Sequence, residues 1–149
     1  MNRISFFIVP ALMIAFAVSC AKSIKLDTNT FSSDLLRPQI EFGENLWAIK
    51  YENAIILQIG TIDTTDEQPP IQAAIIHIHE KEVVMDLISA RQSNDTTIRI
   101  YQGNEYRVEL HYIKRKDSET NESIFEGAFV VSSGHLKSEY LVTGRTHHL

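Results

Sequence analysis

Residues 105–113 read EYRVELHYI, and this stretch shows the alternation that decides the fold. Successive side chains of a β-strand point to opposite faces of the sheet. Apolar and aromatic residues therefore share one face here and polar residues share the other: Tyr106, Val108, Leu110 and Tyr112 lie opposite Arg107, Glu109 and His111. We expect a strand with one buried face, as in an antiparallel sheet.

The same period of two recurs on both sides of this stretch. It separates Phe125, Phe129 and Val131 from Glu126, Tyr140 and Val142 from Glu139, and Ile98 and Ile100 from Arg99 and Tyr101. Residues 54–59 are apolar on both faces except at Gln58, which predicts a central strand.

Eight short strands are predicted between Leu46 and the C-terminal end. They cover residues 46–51, 54–62, 72–79, 82–90, 96–101, 105–113, 124–131 and 136–143. Turn residues such as Gly103 and Asn104 separate them, and no helical period lasts for three turns. We predict an all-β fold: an antiparallel β-sandwich of the immunoglobulin-like type with about seven or eight strands. A small eight-stranded barrel is the alternative.

Composition and charge exclude several classes of protein. The chain has 149 residues, which fits one domain. Fourteen Lys and Arg against nineteen Asp and Glu give a net charge of -5, which disfavours a nucleic-acid partner. A single cysteine excludes an internal disulfide and a thiolate zinc cluster.

The first twenty residues have the pattern of an export signal. They read MNRISFFIVPALMIAFAVSC, with Arg3 before an apolar stretch that only Ser5 and Pro10 interrupt. The stretch is about 15 residues long, too short to span a hydrocarbon core of roughly 30 Å as a helix. This length is typical of a signal peptide, which we expect to form a helix.

The end of this stretch, Ala17-Val18-Ser19-Cys20, resembles the lipobox of bacterial lipoproteins. The resemblance implies that a dedicated signal peptidase cleaves before Cys20. It also implies that the Cys20 thiol receives a diacylglycerol and that the new amino terminus is acylated, for example with palmitate. Ala17 stands where leucine is usual, whereas Val18 and Ser19 fit. An ordinary signal peptide and an uncleaved anchor are the alternatives, and the resemblance covers residues 1–20 alone.

These observations divide the chain into a signal peptide at 1–19, a lipidated tether at 20–45 and a β-sandwich domain at 46–149. We expect part of the tether, from about Ser33, to lie across the domain or add an edge strand. Ala21 stands where enterobacterial lipoproteins retained in the inner membrane carry an aspartate. The resemblance therefore implies an outer-membrane protein whose domain faces the periplasm.

Histidines are the candidates for metal chemistry. His77 and His79 lie two residues apart on a predicted strand, so both imidazoles emerge from one face. Such a pair can share Zn²⁺ or Cu²⁺, and His111 on another strand is a candidate third ligand. The alternative is that His77 and His79 are surface residues at a strand end. We predict this alternative, and hence no metal site and no cofactor.

No arrangement of residues in the sequence predicts catalysis. Residues 132–135 place serines beside His135 but lack the strand-to-helix elbow of a serine hydrolase. We therefore predict a non-enzymatic envelope lipoprotein that binds a protein or an envelope polymer. The alternatives are a periplasmic metal-binding protein using His77 and His79, an inhibitor of an envelope-targeting enzyme, and a hydrolase assembled from distant loops. Four aromatic residues are candidates either for a binding groove or for the core: Trp47, Tyr51, Tyr101 and Tyr106.

Overall fold

A computed structural model describes residues 23–27, 34–45, 55–65 and 67–146 of the chain. These residues form eight strands and no helix. The strands are β1 (Arg37–Asn45), β2 (Leu57–Ile62), β3 (Ile71–Ile78), β4 (Lys81–Ser93), β5 (Thr96–Gly103), β6 (Tyr106–Lys116), β7 (Ser123–Ser133) and β8 (Leu136–Thr146). Each strand pairs antiparallel with the next, and β8 pairs with β1, so the sheet closes into a barrel.

The prediction of an immunoglobulin-like sandwich is wrong, and the eight-stranded barrel is confirmed. The physical reason is the pairing of β1 with β8, in which Ile40 faces Thr146 and Phe42 faces Gly144. This pairing joins the two strands that would otherwise be edges. Sandwich and barrel strands both alternate with a period of two, so the alternation does not distinguish them.

The predicted strands from residue 54 onward correspond to β2–β8, with shifted ends. The strand predicted at 46–51 and the predicted signal helix lie outside the described residues. The barrel includes β1, which falls within the stretch that the sequence analysis assigned to the tether. β1 was expected at most as an edge strand, but it pairs with a neighbour on both sides.

Bulky side chains fill the barrel. The largest fully buried ones are Tyr101, Phe42, Phe129, Ile56, Leu57, Ile59, Ile75, Ile76, Met85, Leu110, Val108 and Val131. Phe42, Tyr112 and Phe125 pack edge to face, with ring centroids 5.3 to 6.5 Å apart. The interior is therefore a packed core, and the face predicted for Val108, Leu110 and Tyr112 is confirmed.

Strand β5 presents the less apolar of its two faces to the interior. Tyr101 pairs with buried Val108, and Arg99 pairs with buried Leu110. Because paired residues share a face of the sheet, Arg99 and Tyr101 point into the barrel. Ile98 and Ile100 lie on the outer face, where they are half-buried.

The barrel has two different ends. The β3–β4, β5–β6 and β7–β8 turns lie at one end, together with residues 23–27, which we call the strap, and we call this end the strap end. The β2–β3, β4–β5 and β6–β7 connections lie at the other, distal end, where β1 begins and β8 ends. The strap and the connections between strands therefore lie at the two ends of an up-and-down barrel.

Candidate functional site

The strap closes one end of the barrel. Its side chains Ile24 and Leu26 are 6% and 2% exposed and belong to the main core cluster. The Tyr140 hydroxyl on β8 donates a hydrogen bond to the Ile24 carbonyl (2.7 Å) and lies 3.3 Å from the Leu26 amide nitrogen, which donates to it. On the other side the Asp27 amide donates to the carbonyl of His77 on β3 at 2.8 Å. The strap therefore connects two distant strands across the strap end.

The strap also stabilises the turn between β3 and β4. His79 and Glu80 both have positive φ, at 53° and 61°, a conformation that non-glycine residues rarely adopt. The Glu80 amide donates a hydrogen bond of 2.6 Å to Oδ2 of Asp27. Because the amide faces a carboxylate, this is a charge-assisted bond, which is stronger than a neutral one. Asp27 thus binds the turn as well as the strand before it.

The structure does not bring the three candidate metal ligands together. His77 is 5% exposed on the outer face of β3, whereas His79 is exposed in the turn, because β3 ends at Ile78. His111 lies on β6, three strands from β3, and its Nε2 is 2.8 Å from Oε1 of Glu109. Across the described residues there is no group of three or more His, Cys, Asp or Glu side chains that could hold a metal ion.

Burial lowers the pKa of the His77 imidazole. Removal from water lowers the pKa of His77 below its ordinary value of 6.5, although the nearby carboxylates of Glu82 and Asp27 act in the opposite direction. The neutral imidazole is therefore favoured in the folded chain. His77 is a buried partner of the strap region and not the surface residue that the sequence analysis expected.

A depression lies at the strap end. It measures about 510 Å³ and lies between the β3–β4 and β5–β6 turns. Its lining mixes charged and apolar side chains: Ile78, His79, Lys81, Glu82, Val83, Asn104, Glu105 and Tyr106. Of the aromatic candidates, Tyr106 therefore lines a surface depression, whereas Tyr101 is fully buried. Trp47 and Tyr51 lie outside the described residues, as does Cys20.

The distal end holds a polar cluster that sequence reasoning missed. Nη1 of Arg99 lies 3.4 Å from Oε1 of Gln72 and 3.4 Å from the hydroxyl of Tyr101. Tyr112 is a further hydrogen-bonding partner of the guanidinium. These side chains come from β3, β5 and β6, so closure of the barrel assembles the cluster. Part of the cluster could have been found from the sequence, because Arg99 and Tyr101 lie two residues apart and therefore share one face of β5.

Fold and geometry define the class as an up-and-down β-barrel of eight strands, with a strap across one end and an arginine cluster at the other. No protein-family profile, no curated protein and no solved structure matches the chain. Within the described ranges, no helix is long and apolar enough to cross a membrane.

Proposed function

We propose that this chain is a lipid-anchored envelope protein whose barrel is a non-enzymatic binding module for a protein or an envelope polymer. Cys20 attaches it to the membrane, and the barrel faces the periplasm from the outer membrane. The sequence before Cys20 supports the anchor, through the apolar stretch and the small-residue box at residues 17–19.

The observation that carries the proposal is the position of the strap. Ser23, the first described residue, lies three positions after Cys20, and Ile24 is already part of the core. The predicted cleavage point therefore lies just before Ile24, a residue of the barrel core, as expected for an exported domain.

A binding role without catalysis agrees with the interior of the barrel. The core is packed with apolar side chains, and the inward polar cluster consists of an arginine, two tyrosines and a glutamine. Among the described residues these groups include no nucleophile paired with a base. Up-and-down barrels present their ends and loops to ligands and partners, which suits a binding module.

Lipid labelling of the expressed protein tests the anchor. Cells that produce the full chain are grown with labelled palmitate, and three forms are compared: wild type, Cys20→Ala and Ser19→Ala. We expect label in the wild type and in Ser19→Ala, which keeps a small residue in the box. We expect no label and no cleavage in Cys20→Ala, because the acceptor thiol is absent. Label that persists in Cys20→Ala contradicts the proposal, and so does an unlabelled wild type.

A further inference from the structure

Arg99 differs from the ion-paired arginines of the barrel in its surroundings. Arg37 pairs with Asp63 at 2.7 Å and Arg115 pairs with Glu126 at 3.4 Å, both at exposed positions. Arg99 points inward, and no carboxylate of the described residues lies within 4.0 Å of its guanidinium nitrogens. The chain has nineteen acidic and fourteen basic residues, so Arg99 does not lack a carboxylate partner because acidic residues are scarce.

The groups around Arg99 are neutral and do not compensate its charge. An arginine side chain stays protonated at every physiological pH. Burial raises the pKa of Tyr101 above its ordinary value of 10.0, although the neighbouring guanidinium lowers it. Tyr101 is therefore a neutral phenol at pH 7, and Gln72 contributes only an amide oxygen at 3.4 Å. The cluster carries one positive charge and has no internal counter-ion among the described residues.

The guanidinium also retains unused hydrogen-bonding capacity. Arginine has five N–H donors, and the Nε of Arg99 is buried with no hydrogen-bond partner among the described residues. Both measured contacts of Nη1 are at 3.4 Å, longer than the 2.7–2.9 Å that is usual for charge-assisted bonds. A partly buried cation with weak neutral partners is costly, and an anion at the same place would offset that cost.

We propose that Arg99 binds the carboxylate of a small organic acid at the distal end of the barrel. A carboxylate fits the planar guanidinium fork, which donates two parallel hydrogen bonds to it. Nη1 donates to the Tyr101 hydroxyl, so that hydroxyl keeps its own proton for an anion that reaches the guanidinium. This site differs from the strap end and does not depend on the lipid anchor.

The surroundings favour a monoanion with an apolar chain. One partly buried cation balances one negative charge, whereas a phosphate dianion requires more positive charge within the site. Tyr112 packs against Phe125 with ring centroids 5.3 Å apart, so the cluster borders buried aromatic side chains rather than further charged groups.

Titration with hexanoate tests the site directly. The full chain, labelled with ¹⁵N, is purified in dodecyl maltoside, and the Arg Nε–H signals are followed by NMR. The signal of Arg99 is the one that disappears in Arg99→Met. We expect hexanoate to shift this signal in a saturable way, whereas neutral hexanamide leaves it unchanged. The Arg115→Met variant is the matched control and should bind hexanoate like the wild type.

Further variants distinguish binding from a merely structural arginine. Tyr101→Phe removes one donor to the carboxylate and should weaken hexanoate binding roughly ten-fold. Arg99→Lys keeps the charge but loses the fork and should weaken binding similarly, which provides a test if Arg99→Met does not fold. Because neither variant has the Arg99 Nε–H group, hexanoate binding is followed in both through the backbone amide signals of Tyr101 and Tyr112. The proposal is overturned by an Arg99 signal that does not respond to hexanoate. Equal binding of inorganic phosphate, or full affinity in folded Arg99→Met or Arg99→Lys, overturns it as well.

Discussion

Gly144 illustrates how one absent side chain makes room for an aromatic ring. A Cβ at Gly144 would lie 2.6 Å from the Glu41 carbonyl oxygen and 2.8 Å from Cδ1 of Phe42. The backbone contact cannot be relieved by a side-chain rotation, so Gly144→Ala should destabilise the barrel by roughly 1–3 kcal/mol. Urea unfolding followed by circular dichroism measures the difference. Gly43 on β1 is the control, because its Cβ would meet no atom within 4 Å. If Gly144→Ala and Gly43→Ala are equally stable, the neighbouring residues can move to accept a Cβ at Gly144, and the prediction is wrong.

His77 should make stability depend on pH. In the unfolded chain its pKa returns towards 6.5, whereas burial keeps the folded value lower. Between the two values the unfolded chain binds more protons, so stability is complete above pH 6.5 and falls as the pH drops below it. In His77→Gln the free energy of unfolding should fall less between about pH 6.5 and 5 than it does in the wild type. Urea midpoints at several pH values measure it, with exposed His135→Gln as the control. An unchanged pH dependence in His77→Gln would contradict the assignment.

At the scale of elements, the strap is as much part of the core as a strand. Leu26 is 2% exposed, and truncation of a fully buried leucine costs about 2–5 kcal/mol. Leu26→Ala should lower the free energy of unfolding by that amount, and Asp27→Asn should weaken the bond to the Glu80 amide in addition. Ile88→Ala, at a residue 54% exposed, should change stability by less than about 0.5 kcal/mol. If Leu26→Ala behaves like Ile88→Ala, the strap does not stabilise the barrel.

Two strands show how far the sequence predicts these elements. β6 alternates strictly, so its buried face followed from its period alone, and the structure confirms it. β5 presents β-branched residues on one face and Arg99 and Tyr101 on the other, and hydrophobicity alone favours the isoleucines as the core face. The pairing of Tyr101 with buried Val108 shows instead that Arg99 and Tyr101 face the interior of the barrel. Such pairing depends on neighbouring strands, which a single strand's sequence does not contain.

The strap and the arginine cluster were not predictable for related reasons. Residues 23–27 are too few to show a period, and Ile24 and Leu26 read as apolar residues within a tether. The cluster joins residues 72, 99, 101 and 112, which come from three strands and meet only when the sheet closes. Closure itself depends on β1, where Pro38, Gly43 and two irregular registers obscure the alternation.

At the scale of the whole molecule, the strap and the proposed anchor together orient the barrel. Three residues separate Cys20 from Ile24, so the Cα atoms of Cys20 and Ile24 are at most about 14 Å apart. The strap end must then lie close to the bilayer if Cys20 carries the lipid. An 11-residue strand such as β8 extends roughly 28 Å along a tilted barrel. In that proposed orientation the distal end, with Arg99, projects into the aqueous space.

Energy transfer from the barrel to labelled lipid headgroups tests this orientation. Glu105→Cys and Asp95→Cys form a matched pair, since both are exposed second residues of two-residue turns, at the strap end and the distal end respectively. In the lipidated protein the Cys20 thiol is consumed, so a thiol-reactive donor dye labels only the introduced residue. We expect much stronger transfer from position 105 than from position 95. Insertion of twenty Gly and Ser residues between Lys22 and Ser23 should remove most of the difference, because such a linker has an end-to-end distance of about 25 Å. Equal transfer from both positions without the insertion would mean that the strap does not hold the barrel upright on the membrane.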